Sequence, residues 1–352
     1  MIFQNIILQG VEQLKSERSS AAIYHILRGK RSIQTVQDAH IYKLTQYYGI
    51  IPKLEQSFFD SYVEELVKKN SLQSFGKQQF QITNEGKYQL SQNKVNKVGF
   101  KGLKYHQIDE IFMNRLLLFI QMITNAKMNH FSYIPIIDER SYTIWARNIY
   151  HRLKNHLDET LEQLYLEIKQ VCQKISTKEA NIFIDRLTGY HRYGQSIHQL
   201  SVNYGHEPID IQLLLTKVIH IILTSIFNNQ KKFPLLNNIA PNLSKQTSFL
   251  TNSAQKTYKL FKQGYEITQI ASIRNLREST IFDHLVEISL YDEQFPFHQF
   301  LTKEIIDEVF DVLQENLTFK LKDIKQNVSP DVSYFEIRLA LSKYTQLKGD
   351  LS

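Results

Sequence analysis

The chain has 352 residues, a net charge of +7 from 42 Lys and Arg against 35 Asp and Glu, 42% hydrophobic residues and 12% aromatic ones. That content can bury a core and excludes a wholly disordered chain. Gly (12) and Pro (7) are scarce, which argues against turn-rich β sandwiches, propellers and glycine-rich nucleotide folds. A mainly α protein of two or three domains is expected.

The single Cys172 cannot pair within the chain, so the fold does not depend on oxidation. At helical spacing from Ile168 and Ile175 it reads as a small core hydrophobe. The amino terminus lacks the basic segment and cleavage site of a signal peptide. No stretch reads as long and apolar enough to span a bilayer. Residues 116–120 are too few, and 213–227 carry Lys217 and His220. A cytoplasmic location and no membrane partner are expected. Lys outnumbers Arg by 30 to 12, which leans toward an AT-rich genome rather than toward phosphate chemistry, where Arg is the better fork.

By segment, residues 1–105 hold 15 basic and 8 acidic residues, 106–252 hold 15 and 12, 253–293 hold 5 and 6, and 294–352 hold 7 and 9. A basic excess is the electrostatic footprint of a nucleic-acid binder, and it reads here as amino-terminal.

Residues 1–92 read as a winged-helix-like domain. Ser19-Ser20 can cap a helix ended by Gly29. A second helix follows Lys30-Arg31 and ends near Gly49. Pro52 opens a third, with Phe58, Phe59, Val63, Leu66 and Val67 at helical spacing. Residues 72–75, a Gly76-Lys77 turn and residues 79–83 form a β-hairpin candidate, closed by Thr83-Asn84-Glu85-Gly86. Residues 93–105 read as a basic linker. The stretch 86–108 carries Lys87, Lys94, Lys97, Lys101 and Lys104 without an acid, so it is either a strap along phosphates or a solvated connection.

Residues 106–250 read as a central helical domain. A long amphipathic helix is expected over 141–175, with the seam Leu153, Leu157, Leu161, Leu164, Ile168, Val171 and Ile175 close to a heptad repeat. The seam serves either a bundle or a homodimeric coiled coil. A further helix covers 178–187, and residues 190–206 are rich in aromatics and His.

Residues 251–352 carry the sharpest motif. A helix over 254–263 ends at Gly264, and residues 267–285 fit a helix-turn-helix. Ile270 and Ala271 lie inside, Asn275 tolerates the turn, and Leu276 plugs the angle. Thr280 with Asp283 reads as the cap of the second helix, and Ile281, Leu285 and Ile288 face inward. Arg274 is a departure, because such motifs often place an apolar residue there. The second helix is expected to expose Ser279, Thr280, Asp283 and Glu287, with Arg277 at its entrance. Two carboxylates there would face a phosphate-lined groove.

With these residues the chain resembles the YpbB-like family of Gram-positive bacteria. Its carboxy-terminal part resembles the helicase-associated helix-turn-helix domain found at the tail of some RecQ helicases. The likeness rests on Gly264, Ile270-Ala271, Leu276, Ser279-Thr280-Ile281, His284-Leu285 and residues 333–338. It also rests on Tyr24-His25, Gly29-Lys30-Arg31-Ser32, Gln34-Thr35, Gln37-Asp38-Ala39, Leu187-Thr188-Gly189-Tyr190 and Gly194-Gln195. The resemblance implies a RecQ-type helicase as partner, because the family is encoded beside one.

No phosphate-binding glycine loop, dinucleotide fingerprint, H-E-x-x-H or Cys cluster is present. His151 and His156 diverge on a helix, and His191 with His198 share a face only if that stretch is helical. No catalytic residue, metal or cofactor is expected. The expected function is a non-enzymatic DNA-binding accessory protein working with a RecQ-type DNA helicase in repair or recombination. The alternatives are a helix-turn-helix transcription regulator and a purely protein-binding adaptor. DNA contact is expected through Arg28, Lys30, Arg31, Lys77 and Lys87 and the lysines that follow.

Overall fold

Apolar residues spaced three and four apart wind most of the chain into helices. The computed structural model describes residues 1–76, 78–92, 99–241, 250–292, 294–316 and 318–349. In chain order they form α1 (Ile2–Leu14), α2 (Ser20–Arg28), α3 (Ile33–Ile41), α4 (Gln56–Lys68), β1 (Leu72–Gly76), β2 (Gln79–Ile82) and α5 (Asn84–Gln92). Next come α6 (Gly102–Tyr105), α7 (Asp109–Lys127), α8 (Arg140–Leu153), α9 (Leu157–Cys172), α10 (Thr177–Asp185), α11 (Ile197–Tyr204), α12 (Pro208–Asn228) and α13 (Pro234–Ile239). The last elements are α14 (Asn252–Lys262), α15 (Ile267–Arg274), α16 (Glu278–Ser289), α17 (Lys303–Asn316), α18 (Leu321–Asn327) and α19 (Tyr334–Gly349). The chain divides into two compact units. Unit one holds Met1–Ile6 and Asn93–Gln246, and unit two holds Ile7–Gln92 and Thr247–Ser352.

In unit two, α2, α3, α4, the hairpin and α5 follow the order of a winged helix. The strands pair antiparallel, Leu72 opposite Ile82 and Ser74 opposite Phe80, with an irregularity beside Gly76. Gly86 explains the closing Thr-Asn-Glu-Gly. A Cβ there would lie 2.3 Å from the Ser71 carbonyl oxygen, and the Thr83 hydroxyl both donates to that oxygen and accepts from the Gly86 N–H. α5 can therefore sit directly on the base of the hairpin. The tip is tied down as well, because the Ser20 N–H donates to the Gln78 carbonyl at 2.9 Å. Residues 2–14, assigned no element from sequence, are helical because Ile7, Leu8, Val11 and Leu14 recur on one buried face.

The amino-terminal helices of unit two share a core with the carboxy-terminal ones. α3 packs against both α16 and α19. Gln37 of α3 donates to the Arg338 carbonyl at 3.2 Å and accepts from the Arg338 Nε at 3.3 Å. Glu17 accepts from the Tyr42 hydroxyl and from the Phe319 N–H, both at 2.8 Å. The His40 ring lies edge-on to Tyr291. The sequence reading set residues 1–92 and 251–352 apart; in the structure residues 7–92 belong to the same compact unit as the carboxy-terminal segment.

Unit one is built on α7 and α12, whose buried Leu, Ile and Phe side chains dominate a single core. Burying each such side chain contributes about 1.5–3 kcal/mol. The single long helix expected over 141–175 is two helices. α8 ends with Leu153, and His156, with φ −133°, caps α9, whose first turn carries Asp158 and Glu159. Those carboxylates favour a helix start, where they face the positive end of the dipole. The apolar seam is intact but turns inward: Leu164 and Val171 are buried, and Leu153, Leu157, Leu161, Ile168 and Ile175 pack against the same core. The unit's own core thus occupies the seam that a two-chain coiled coil would need. Cys172 also packs there, and burial pushes its thiol pKa up.

One sequence expectation about membranes is corrected. α12 is long and apolar enough to cross a bilayer by length and composition, although 72% of its most apolar window is buried inside the fold. Lys217 and His220 within that window are both paired, Lys217 with Glu179 at 2.7 Å and His220 with Asp109 at 3.1 Å. Residues expected to be linker are likewise partly core. Phe100 and Tyr105 are buried, and the Lys101 N–H donates to His220 Nδ1 at 3.0 Å.

Candidate nucleic-acid interface

The helix-turn-helix forms where the sequence places it. Glu266 and Gln269 make a reciprocal cap at the start of α15. Asn275 closes α15 in the left-handed conformation, φ 50°, and the Leu276 N–H reaches back to the Ala271 carbonyl at 2.9 Å. Asn adopts that conformation at low cost because its short amide can bond locally. Ile270, Ala271, Ile281, Leu285 and Ile288 are buried as expected.

The second helix starts earlier than expected and shows less of itself. Arg277, not Thr280, is the N-cap, and α16 begins at Glu278. Once Asn275 has closed α15, only Leu276 and Arg277 separate the two helices. Thr280 is therefore inside the first turn, and Asp283 bonds Arg338 instead. Glu287 is not on the exposed face: it is 3% exposed and accepts from the N–H and the hydroxyl of Thr251. Burial raises its pKa, and the Thr251 bonds and the charge of Arg31 pull it back down. Phe282 packs against Phe335 with tilted rings whose centroids are 4.4 Å apart, and Ser289 bonds Ser342 at 2.8 Å. Only the entrance of the helix, Arg277, Glu278 and Ser279, is fully open.

Arg274 has a structural task. Its guanidinium donates to the Ser253 carbonyl at 2.7 Å and to the Thr257 hydroxyl at 2.5 Å. Thr257 in turn lies 2.9 Å from Nδ1 of the buried His284. Burial and the Arg274 charge both lower the His284 pKa. The guanidinium thus ties α15 to α14, where an apolar side chain would only fill space.

The basic candidates fall on both units. Arg28, Lys30 and Arg31 form a positive knot around the α2–α3 turn. Arg28 donates to the Tyr24 hydroxyl at 3.0 Å, and Lys30 Nζ lies 3.5 Å from His25 Nε2. Burial, then Lys30 and Arg28, lower the His25 pKa. Lys87 is exposed on α5. Lys101 and Lys104 are exposed in unit one, with Lys104 over the Tyr105 ring. Lys77, Lys94 and Lys97 lie outside the described residues. α4, the helix that a winged helix presents to a groove, carries Asp60, Glu64 and Glu65 against Lys68 alone.

Regrouping the charges by compact unit changes the picture. Unit one holds 19 basic and 12 acidic residues, and unit two holds 23 of each. The whole excess of +7 therefore belongs to the unit without the helix-turn-helix. The linear split hid this, because the amino-terminal charges fold together with the acidic carboxy-terminal segment. Sequence reasoning placed α8 within its long helix but did not single out the cations it presents to solvent, Arg140, Arg147, His151 and Arg152. The available signal was local: α8 has three Arg and no Lys in a Lys-rich chain.

A protein-family model described as a helix-turn-helix domain matches residues 253–341. The chain is 28% identical over 349 residues to Protein YpbB of Bacillus subtilis (strain 168), covering 98% of each chain. No solved structure matches. The carboxy-terminal part is thus a helix-turn-helix domain, a fold that supports DNA binding, and the chain along nearly its whole length is similar to Protein YpbB.

Proposed function

We propose that the chain is a non-enzymatic DNA-binding accessory protein of the cytoplasm that works with a RecQ-type helicase in repair or recombination. The observation that carries DNA binding is the helix-turn-helix domain at residues 253–341. The helicase partner rests on the sequence resemblance. A non-enzymatic role is supported by the way charged side chains are spent in structural pairs: Arg18 with Asp38, Lys217 with Glu179 and Arg338 with Asp283. A transcription regulator needs an open recognition helix and a two-fold arrangement of half-sites. The burial of Ile281 and of α16 from His284 onward and the inward seam of α9 speak against it.

The covered α16 favours one second reading, a protein-binding adaptor in helix-turn-helix form. The two are separated by co-purifying the full chain with the helicase, with and without nuclease, and by measuring the affinity of the chain alone for labelled DNA. The accessory reading expects retention after nuclease and DNA affinity that falls steeply with salt, as released counterions require. Helicase retention with no DNA affinity at low salt would establish the adaptor instead. No retention of the helicase in either condition would remove the partner.

A further inference from the structure

Three segments of unit one carry exposed rings and cations: a cavity joins the first to the second, and ring contacts of His130 join the second to the third. The first is α8. Arg140, Arg147, His151 and Lys154 recur at helical spacing, with Arg152 beside them, and residues 140–157 hold no carboxylate. The nearest acids in sequence bracket this face: Asp138 and Glu139 before it, Asp158 and Glu159 after it. Asp158 is paired with Lys127.

The second segment is the connection between α7 and α8. Phe131, Tyr133 and Pro135 form a wall of a cavity of about 340 Å³, with Met122 of α7 and Arg147 and Tyr150 of α8 also lining it. Phe131 is 65% exposed and Ile134 89% exposed. The backbone beneath them is pinned. The buried Gln121 amide donates to the Ile134 carbonyl at 2.9 Å and accepts from the Ile136 N–H at 2.8 Å, as a neighbouring strand would.

The third segment is the turn before α11. His130 joins it to the second, with its ring 5.7 Å from Tyr190 and 6.5 Å from His191. This turn is also braced. The Tyr190 N–H donates to the Thr124 hydroxyl, and the Gly194 N–H to that of Thr188, both at 3.0 Å. A Cβ at Gly194 would lie 2.2 Å from the Arg186 carbonyl oxygen. On this rigid base Tyr193 stands 87% exposed.

Large apolar side chains held in water on a fixed backbone mark a binding surface. Here they alternate with cations, so the ligand must combine flat apolar faces with regular negative charge. Single-stranded nucleic acid does so: its unpaired bases stack on aromatic rings while its phosphates track a basic groove. A duplex hides those faces, and an acidic peptide lacks them. Arg in place of Lys fits the same ligand, because guanidinium both forks to phosphate and stacks on bases.

We propose that this face of unit one binds single-stranded DNA, with bases on Phe131, His191 and Tyr193 and phosphates along Arg147, His151 and Arg152. The proposal rests on the DNA-binding reading above and places the contact outside the helix-turn-helix domain.

The test uses the full chain, a labelled oligo(dT) strand and a labelled duplex, read by fluorescence anisotropy over a salt series. All substituted side chains are exposed, and circular dichroism checks that each variant melts as the parent does. Arg147→Glu with Arg152→Glu should weaken oligo(dT) binding by at least about tenfold and flatten its salt dependence. Phe131→Ala and Tyr193→Ala should each cost about five- to tenfold at unchanged salt slope. Parental affinity for oligo(dT) in these variants would overturn the site while leaving DNA binding by the chain intact. Absence of binding to either DNA by the parent would overturn the site and the DNA-binding reading together. Equal losses for strand and duplex would overturn the stacking assignment. Preference of this face for oligo(U), poly-glutamate or phosphatidylglycerol vesicles would overturn single-stranded DNA as its ligand.

Discussion

His40 makes the stability of unit two acid-sensitive, and replacing it with Phe should remove a defined part of that sensitivity. The side chain projects from α3 against Tyr291, and its Nε2 is sealed from solvent without a hydrogen-bond partner. Burial lowers its pKa from 6.5 to about 4. The unfolded chain therefore takes up a proton at a pH where the folded one does not. The stability contributed by the neutral ring is complete above about pH 6.5 and drains away as the pH falls toward 4. At about 1.4 kcal/mol per pKa unit, the full difference is roughly 3 kcal/mol, and about 2 kcal/mol of it is gone by pH 5. Urea unfolding of parent and His40→Phe at about pH 7.5 and pH 5 isolates the effect from the carboxylates and from His284, which both proteins retain. Phe keeps a ring against Tyr291, so the variant should fold, and it should lose about 2 kcal/mol less than the parent over that interval. Equal losses in the two proteins would refute the assignment of a neutral, sealed imidazole.

Three further outcomes follow from the packing. Arg338→Ala removes the bonds from α19 to Asp283 and to the Gln37 side-chain oxygen; because Asp283 is partly exposed, the cost should be about 1–2 kcal/mol, read as a lower urea midpoint. Gly194→Ala forces a methyl onto the Arg186 carbonyl and should destabilise unit one by roughly 2 kcal/mol or more, seen as a lower melting temperature. Leu164→Ala should cost about 2–4 kcal/mol, because this seam residue fills the core of its own unit; the loss should not depend on protein concentration, whereas a coiled-coil dimer would show such dependence.

What was legible in the sequence was local. Asn275 and Gly86 announce backbone geometry within a few residues, and the helix-turn-helix and the hairpin form where those residues place them. The break between α8 and α9 was harder to see, because the apolar seam runs through it unbroken; the acidic pair Asp158-Glu159 was the usable sign of a new helix start. The fates of Asp283 and Glu287 were not legible at all. Their partners, Arg338 and Thr251, lie on other elements, and helical spacing reports only a position on a wheel. The union of the amino-terminal helices with the helix-turn-helix rests on pairs such as Gln37 with Arg338, distant in sequence and without any pattern to announce them. The aromatic and basic face of unit one was missed for a related reason. Its rings come from two turns and its cations from a helix, and each segment alone reads as an ordinary solvated stretch.

Charge segregation bears on how the helix-turn-helix can be used. Much of the sequence-independent affinity for DNA comes from cations that displace counterions. A unit with as many acids as bases gains little of it except through a local cluster. In unit two that cluster is Arg28, Lys30 and Arg31 at the α2–α3 turn, and it lies on α2 and its following turn rather than on either groove-reading helix. α4 is acidic, and Ile281 and α16 from His284 onward are buried in its own fold. A groove contact by α16 would rest on the exposed Arg277, Glu278 and Ser279 and the half-exposed Thr280 and Asp283, with Arg277 the one cation among them and two carboxylates facing the phosphates. The packing that buries the rest of α16 joins α3, α14 and α19 into one core. In this chain the helix-turn-helix is the packing hub of unit two, and the excess of positive charge lies in unit one.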